Sequence, residues 1–216
     1  MDQVAEVTVL HTLRLTGVVD EQRLSKRVGV ASAELSQQLR SLQDAGLVKA
    51  NTGALAGWSL TPDGRNKGAR LLAEELRVTG LRPQVEQAYE DFSLLNGGVL
   101  AVCTDWQVRA GTDPMVLNDH NDEKYDEAVL ERLEGLHSRS LAMLRTLAST
   151  LERFTTYAPR LSKALATARN GALDWVTKPG IDSYHTVWFE LHEDLLATLG
   201  RNRSDESAGR NARNPV

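Results

Sequence analysis

The chain of 216 residues lacks several features that would each mark a class of protein. Cys103 is its only cysteine, which removes a disulfide framework and a cysteine-based zinc site. A reducing cytoplasm is the expected compartment. No apolar run approaches the ~20 residues that span a bilayer, so no membrane partner is expected. Met1 to Leu10 carry Asp2 and Glu6 where a secretory signal has cations. A Gly-rich phosphate loop, a Gly-x-Ser-x-Gly elbow and a His-Glu-x-x-His helix are all missing. No enzyme and no cofactor is implied. The net charge of −4 lacks the cationic excess that marks a nucleic-acid binder as a whole. A nucleic-acid partner must therefore rest on local residues.

What is present is unevenly divided. Residues 1–80 hold 10 Lys/Arg against 9 Asp/Glu, residues 81–200 hold 11 against 18, and residues 201–216 hold 4 against 2. Aromatic residues are 5% of the chain, and Trp58 is the only one before residue 81. These shifts divide the chain into residues 1–80, residues 81–200 and a tail, 201–216, whose Arg, Asn, Ser and Gly show no apolar periodicity. The tail is expected to be disordered.

Through residues 1–80 the punctuation predicts three helices, a hairpin and a fourth helix. Val4, Val7, Leu10, His11, Leu13 and Leu15 give an apolar face stopped by Gly17. Asp20 caps a second helix, Glu21 to Val28, ended by Gly29. A third runs from about Ala33 to Ala45, with Ser32 as its N-cap and Gly46 as its stop. Its Leu35, Leu39 and Leu42 turn one face inward, leaving Ala33, Ser36, Gln37, Arg40 and Ser41 outward. Leu47-Val48-Lys49-Ala50 and Trp58-Ser59-Leu60 form a hairpin around a seven-residue tip, Asn51 to Gly57. Thr61-Pro62-Asp63 then opens the next helix as cap, first position and dipole-matched acid.

This order is a winged helix-turn-helix. Gly29-Val30 into Leu35, Leu39 and Leu42, then Ala45-Gly46-Leu47-Val48 and Trp58-Ser59-Leu60-Thr61 with Gly64, resembles the DNA-binding domain of bacterial MarR/PadR-type regulators over residues 5–76. Ala31 stands where such domains carry a Ser or Thr cap. The resemblance implies a homodimer on double-stranded DNA. Its two recognition helices would sit ~34 Å apart, at a spacing that a small-molecule effector changes. On this chain the third helix would enter the major groove, with Gln37 suited to adenine and Arg40 to guanine or phosphate. Ser32 and Ser36 would meet phosphates, Ala33 would lie on the same face, and Lys26, Arg27, Lys49, Arg65 and Lys67 would meet the backbone. The tip has no Arg or Lys, which disfavours minor-groove insertion. The alternative is a winged helix that docks a protein and binds no DNA.

Residues 81–200 are expected to form an all-helical bundle, so the chain as a whole is mainly α. Pro83 to Val108 is one stretch with a kink or close helix approach at Gly97-Gly98. A loop from Ala110 to Asn121 follows, and Asp122 caps a helix to about Tyr157. Pro159 opens another helix, Trp175 sits in a short piece, and the last helix spans Asp182 to Leu199. His185, Trp188 and His192 share a face of that last helix. With Trp106 and His120 they are candidates to line an effector pocket, or to be ordinary core. A metal site on His120, His185 and His192 is the sharper alternative. Cys103, alone on an apolar helix, is expected to be buried filler.

Overall fold

The structure, a computed structural model, describes residues 3–109, 111 and 115–201. The expected disordered tail beyond Arg201 lies outside the described residues, as do Ala110 and residues 112–114 of the loop. Among the described residues the fold is mainly helical, with one two-stranded antiparallel sheet. No described helix is long and apolar enough to cross a membrane.

Contacts divide the chain into two units. One contains the residues up to Gly80 together with Glu193 onward, and the other contains Leu81–His192. This differs from the expected 81–200 domain at one place. The last helix begins in the second unit and ends in the first, which a composition boundary drawn along the sequence does not reveal.

In the first unit α1 (Gln3–Thr16), α2 (Glu21–Val28) and α3 (Ser32–Asp44) precede β1 (Val48–Asn51), β2 (Gly57–Leu60) and α4 (Pro62–Thr79). The Asp20 carboxylate accepts the Arg23 amide at 2.9 Å and starts α2, satisfying one of the four amides a helix start leaves open. The N-cap position of α3 falls to Ala31, which has no side-chain cap bond. The expectation that Ser32 caps is corrected: Ala31 is the last extended residue, with φ −59° and ψ 142°, and Ser32 is already the first residue of the helix. Leu35, Leu39 and Leu42 of α3 are at most 2% exposed. They close a core with Val9, Leu10, Leu13, Leu24, Val48 and Leu60.

The strands pair Val48 with Leu60 and Asn51 with Gly57, so each runs one residue further toward the tip than expected, while the first begins at Val48 rather than Leu47. The tip shortens to Thr52–Ala56, and most of it is a single 3-10 turn, Gly53–Leu55. Asn51 locks its base by donating to the Gly57 carbonyl at 3.1 Å and to Ser59 Oγ at 2.9 Å. Val19 adds a bridge on the other edge of β2, with Val19 N–H to Trp58 O at 3.1 Å and Trp58 N–H to Val19 O at 2.8 Å. At the start of α4 the Thr61 hydroxyl accepts the Gly64 amide at 3.0 Å. A Cβ on Gly64 would overlap the Leu47 carbonyl oxygen, so only glycine lets α4 approach the hairpin this closely.

The second unit contains α5 (Arg82–Gln107), α6 (Glu123–Thr150), α7 (Tyr157–Arg169), α8 (Asp174–Thr177) and the first part of α9 (Tyr184–Leu199). Helix α5 is assigned as one continuous helix through Gly97-Gly98. The close approach is the reading that holds, because a Cβ on Gly98 would lie 2.9 Å from Leu136 Cδ2 of α6. Asp122 caps α6 by accepting the Tyr125 amide at 3.2 Å. The helix ends at Thr150 rather than near Tyr157, because Leu151 turns extended and a 3-10 turn, Glu152–Thr156, follows.

Candidate nucleic-acid interface

The outward face of α3 follows from its inward one. With Leu35, Gln38, Leu39 and Leu42 buried, the helical period puts Ala33, Gln37, Arg40 and Ser41 on the opposite side. All four are exposed, as is Ser32. Ala31 makes no side-chain cap bond to the first turn of α3, whose amide N–H groups suit an acceptor from outside. The exposed Lys26 and Arg27 close the preceding helix.

Ser36 is different. It is half-buried, its hydroxyl lies against the Glu21 carboxylate of α2, and it is 2.8 Å from the Ser32 carbonyl. It ties α2 to α3, and a carboxylate beside it opposes a phosphate. Glu34 is exposed near the start of the same face. Gln38 is the buried glutamine of the helix, its amide nitrogen donating to Glu34 at 3.3 Å.

The basic residues also separate. Lys49 on β1 and Arg65 on α4 are exposed. Lys67 is half-buried, with its ammonium 3.5 Å from the Glu6 carboxylate of α1, so part of its charge is already met. Arg14, half-buried on α1, is held below the usual arginine value by burial and then by Arg65, with Glu193 opposing both. The tip carries no cation and exposes Leu55 to 69%.

The five residues expected to line one effector pocket are not brought together. Trp106 is buried and covered by the His120 ring at 4.6 Å. His120 Nδ1 lies 2.9 Å from Asp126 and its backbone takes φ 59°, a left-handed value uncommon outside glycine. Asn118 holds the same carboxylate at 2.7 Å. Trp188 and His192 form a separate group on Phe92, at ring distances of 4.7 and 4.9 Å. Phe92 and Trp106 both belong to α5, and at 1.5 Å per residue they stand roughly 21 Å apart. Trp188 is 1% exposed and donates its indole N–H to Asn96 at 3.0 Å. It is a core residue. His185 is half-buried, and burial lowers its proton affinity. Among the described residues no three His, Cys, Asp or Glu side chains gather as a metal site requires. Cys103 is buried, which pushes its thiol up to about 12.

One pairing had no signal in the sequence. His11 Nε2 of α1 and Asp194 Oδ1 of α9, both within the first unit, meet at 2.8 Å and are almost fully buried. The two residues are 183 positions apart, beyond any spacing rule.

No family model, no curated protein and no solved structure matches the chain.

Proposed function

We propose that the protein is a DNA-binding transcriptional regulator whose residues 1–80 form a winged helix-turn-helix of the MarR/PadR kind. The observation that carries this is the exposed stripe of Ser32, Ala33, Gln37, Arg40 and Ser41 on α3, a helix fixed to its hairpin by Leu35, Leu39 and Leu42. Gln37 and Arg40 are the base-reading residues of this proposal, because each can present two hydrogen-bonding groups to one base edge. The first turn of α3, with Ser32, Lys26, Arg27, Lys49 and Arg65, supplies phosphate contacts. Lys67 contributes less, being partnered by Glu6.

The active species is a homodimer in the cytoplasm, and its two-fold axis sets the half-site spacing on double-stranded DNA. Small-molecule response is assigned to the His120 edge, where the imidazole is 24% exposed over Trp106, and not to Trp188.

The test is selection of genomic fragments by the purified protein, followed by titration of the selected site at several salt concentrations. Specific retention with a steep salt slope is expected, because phosphate neutralisation releases counterions. The neutral tip with its exposed Leu55 favours a second reading, a winged helix that docks a protein. Salt-insensitive, sequence-independent retention would leave that reading standing.

A further inference from the structure

Ser162 of α7 differs from other exposed helical serines of this chain. Ser41, Ser93 and Ser149 each return their hydroxyl to a carbonyl of their own helix, at 3.2, 2.8 and 2.8 Å. This is the usual fate of a serine in a helix. Ser162 is exposed too, yet its Oγ lies 3.1 Å from Nε2 of His137 on α6. A nucleophile, a base within hydrogen-bond reach and a third group that orients the base are the parts of an activated hydroxyl.

The third group is present. His137 Nδ1 lies 3.4 Å from the Tyr184 hydroxyl of α9. Ser140, fully buried, holds the backbone beside it by donating to the His137 carbonyl at 2.7 Å. In the tautomer that carries its proton on Nδ1, His137 donates Nδ1–H to the Tyr184 oxygen. That tautomer turns the Nε2 lone pair to the Ser162 hydroxyl, 3.1 Å away. Burial keeps the imidazole below the usual histidine value against the pull of Glu134, and burial raises the Tyr184 phenol. The base is neutral and its orienting group stays protonated. All four residues lie within the second unit.

We propose that Ser162 is an acyl acceptor, activated by His137, for activated carboxylic esters and thioesters. The Ser162 oxygen forms a bond to the acyl carbon as its proton passes to His137 Nε2. The bond from that carbon to the leaving oxygen or sulfur breaks, and Nε2 returns the proton to the departing group. Ser162 sits inside α7, where backbone N–H groups are spent on the helix. Its own helix therefore supplies no oxyanion donor, so the transfer suits donors with good leaving groups and stops at acyl-Ser162. Tyr184 and Ser140 are positioning residues.

The experiment incubates the full chain with p-nitrophenyl acetate and follows p-nitrophenolate release, with acetyl-serine located by peptide mass spectrometry. The expected result is one acetyl group on Ser162, formed roughly 100-fold faster than on Ser93 or Ser149 of the same molecule, as general-base assistance allows. Ser162→Ala should abolish the fast release. Tyr184→Phe should slow it while leaving bulk folding, followed by circular dichroism, intact. Labelling of Ser162 no faster than Ser93 and Ser149 in the wild-type protein would overturn the proposal without any variant. So would an unchanged rate in a folded His137→Gln.

Discussion

Replacing Trp188 by Ala separates a core residue from a ligand contact, and its cost can be worked from the structure. The side chain is 1% exposed, stacks on Phe92 at 4.7 Å and Tyr184 at 6.2 Å, and donates to Asn96 at 3.0 Å. A buried indole removes on the order of 200 Å² from water, which at ~25 cal/mol per Å² is about 5 kcal/mol. Residual compactness of the unfolded chain cuts that by ~10–40%. The abandoned Asn96 oxygen adds about 1 kcal/mol, because it is left half-buried without its donor. The expected loss is thus about 4–5 kcal/mol, near the top of the range for large-to-small core changes. Since whole domains are stable by only ~5–15 kcal/mol, the second unit should melt about 15–20 °C lower. Circular dichroism melts of wild type, Trp188→Ala and Trp188→Phe give the measurement, the phenylalanine recovering most of the loss. A folded alanine variant with an unchanged melting temperature would refute the core assignment.

Four further outcomes are expected. Gln37→Ala and Arg40→Ala should each weaken specific DNA binding by about 1–3 kcal/mol with no change in melting temperature; equal affinity of the folded double variant would remove α3 from the DNA surface. Arg65→Ala or Lys49→Ala should lower the salt slope of binding by about 0.9, and Lys67→Ala by less because Glu6 already holds it, so equal slopes for all three would contradict that pairing. Gly64→Ala should cost about 3 kcal/mol or more by driving α4 off the Leu47 carbonyl, read as a lower urea midpoint. His137 and His185 are both held below the usual histidine value by burial, so the unfolded chain takes up protons first as pH falls through about 6.5. Stability present at neutral pH is then lost on acidification, and the urea midpoint should drop from about pH 7 to about pH 5.5, less steeply in His185→Gln. A flat midpoint over that interval would count against it.

Features determined by a few neighbouring residues were legible in the sequence. Asp20, Thr61 and Asp122 cap their helices as expected, because a cap needs only a short polar side chain and an amide three residues away. Leu35, Leu39 and Leu42 fixed the inward face of α3 by period alone. Periodicity failed where two helical geometries share it. Leu147, Leu151 and Phe154 keep a spacing of four and three while the backbone leaves the α-helix at Leu151. No glycine or proline marks the break. The Gly97-Gly98 pair was ambiguous for a related reason, since low helix propensity reports that something replaces side-chain packing without saying what. Here it is the Leu136 side chain of α6.

The site was legible to the extent that its chemistry is exposed. Gln37 and Arg40 could be read because an outward polar stripe is the complement of an inward apolar one. Ser36 and Lys67 could not be separated from them, since their partners Glu21 and Glu6 lie 15 and 61 positions away and are joined only by the fold. The aromatic residues of 81–200 misled for the opposite reason. Trp, His and Tyr at helical spacing look alike in a ligand pocket and in a core, and burial alone distinguishes them. The same fact explains why His137 and Ser162 drew no notice: 25 residues apart on separate helices, each is ordinary alone. The proposed activation of the serine depends on His137 lying between Ser162 and Tyr184, and that juxtaposition is a property of packed helices rather than of residue spacing.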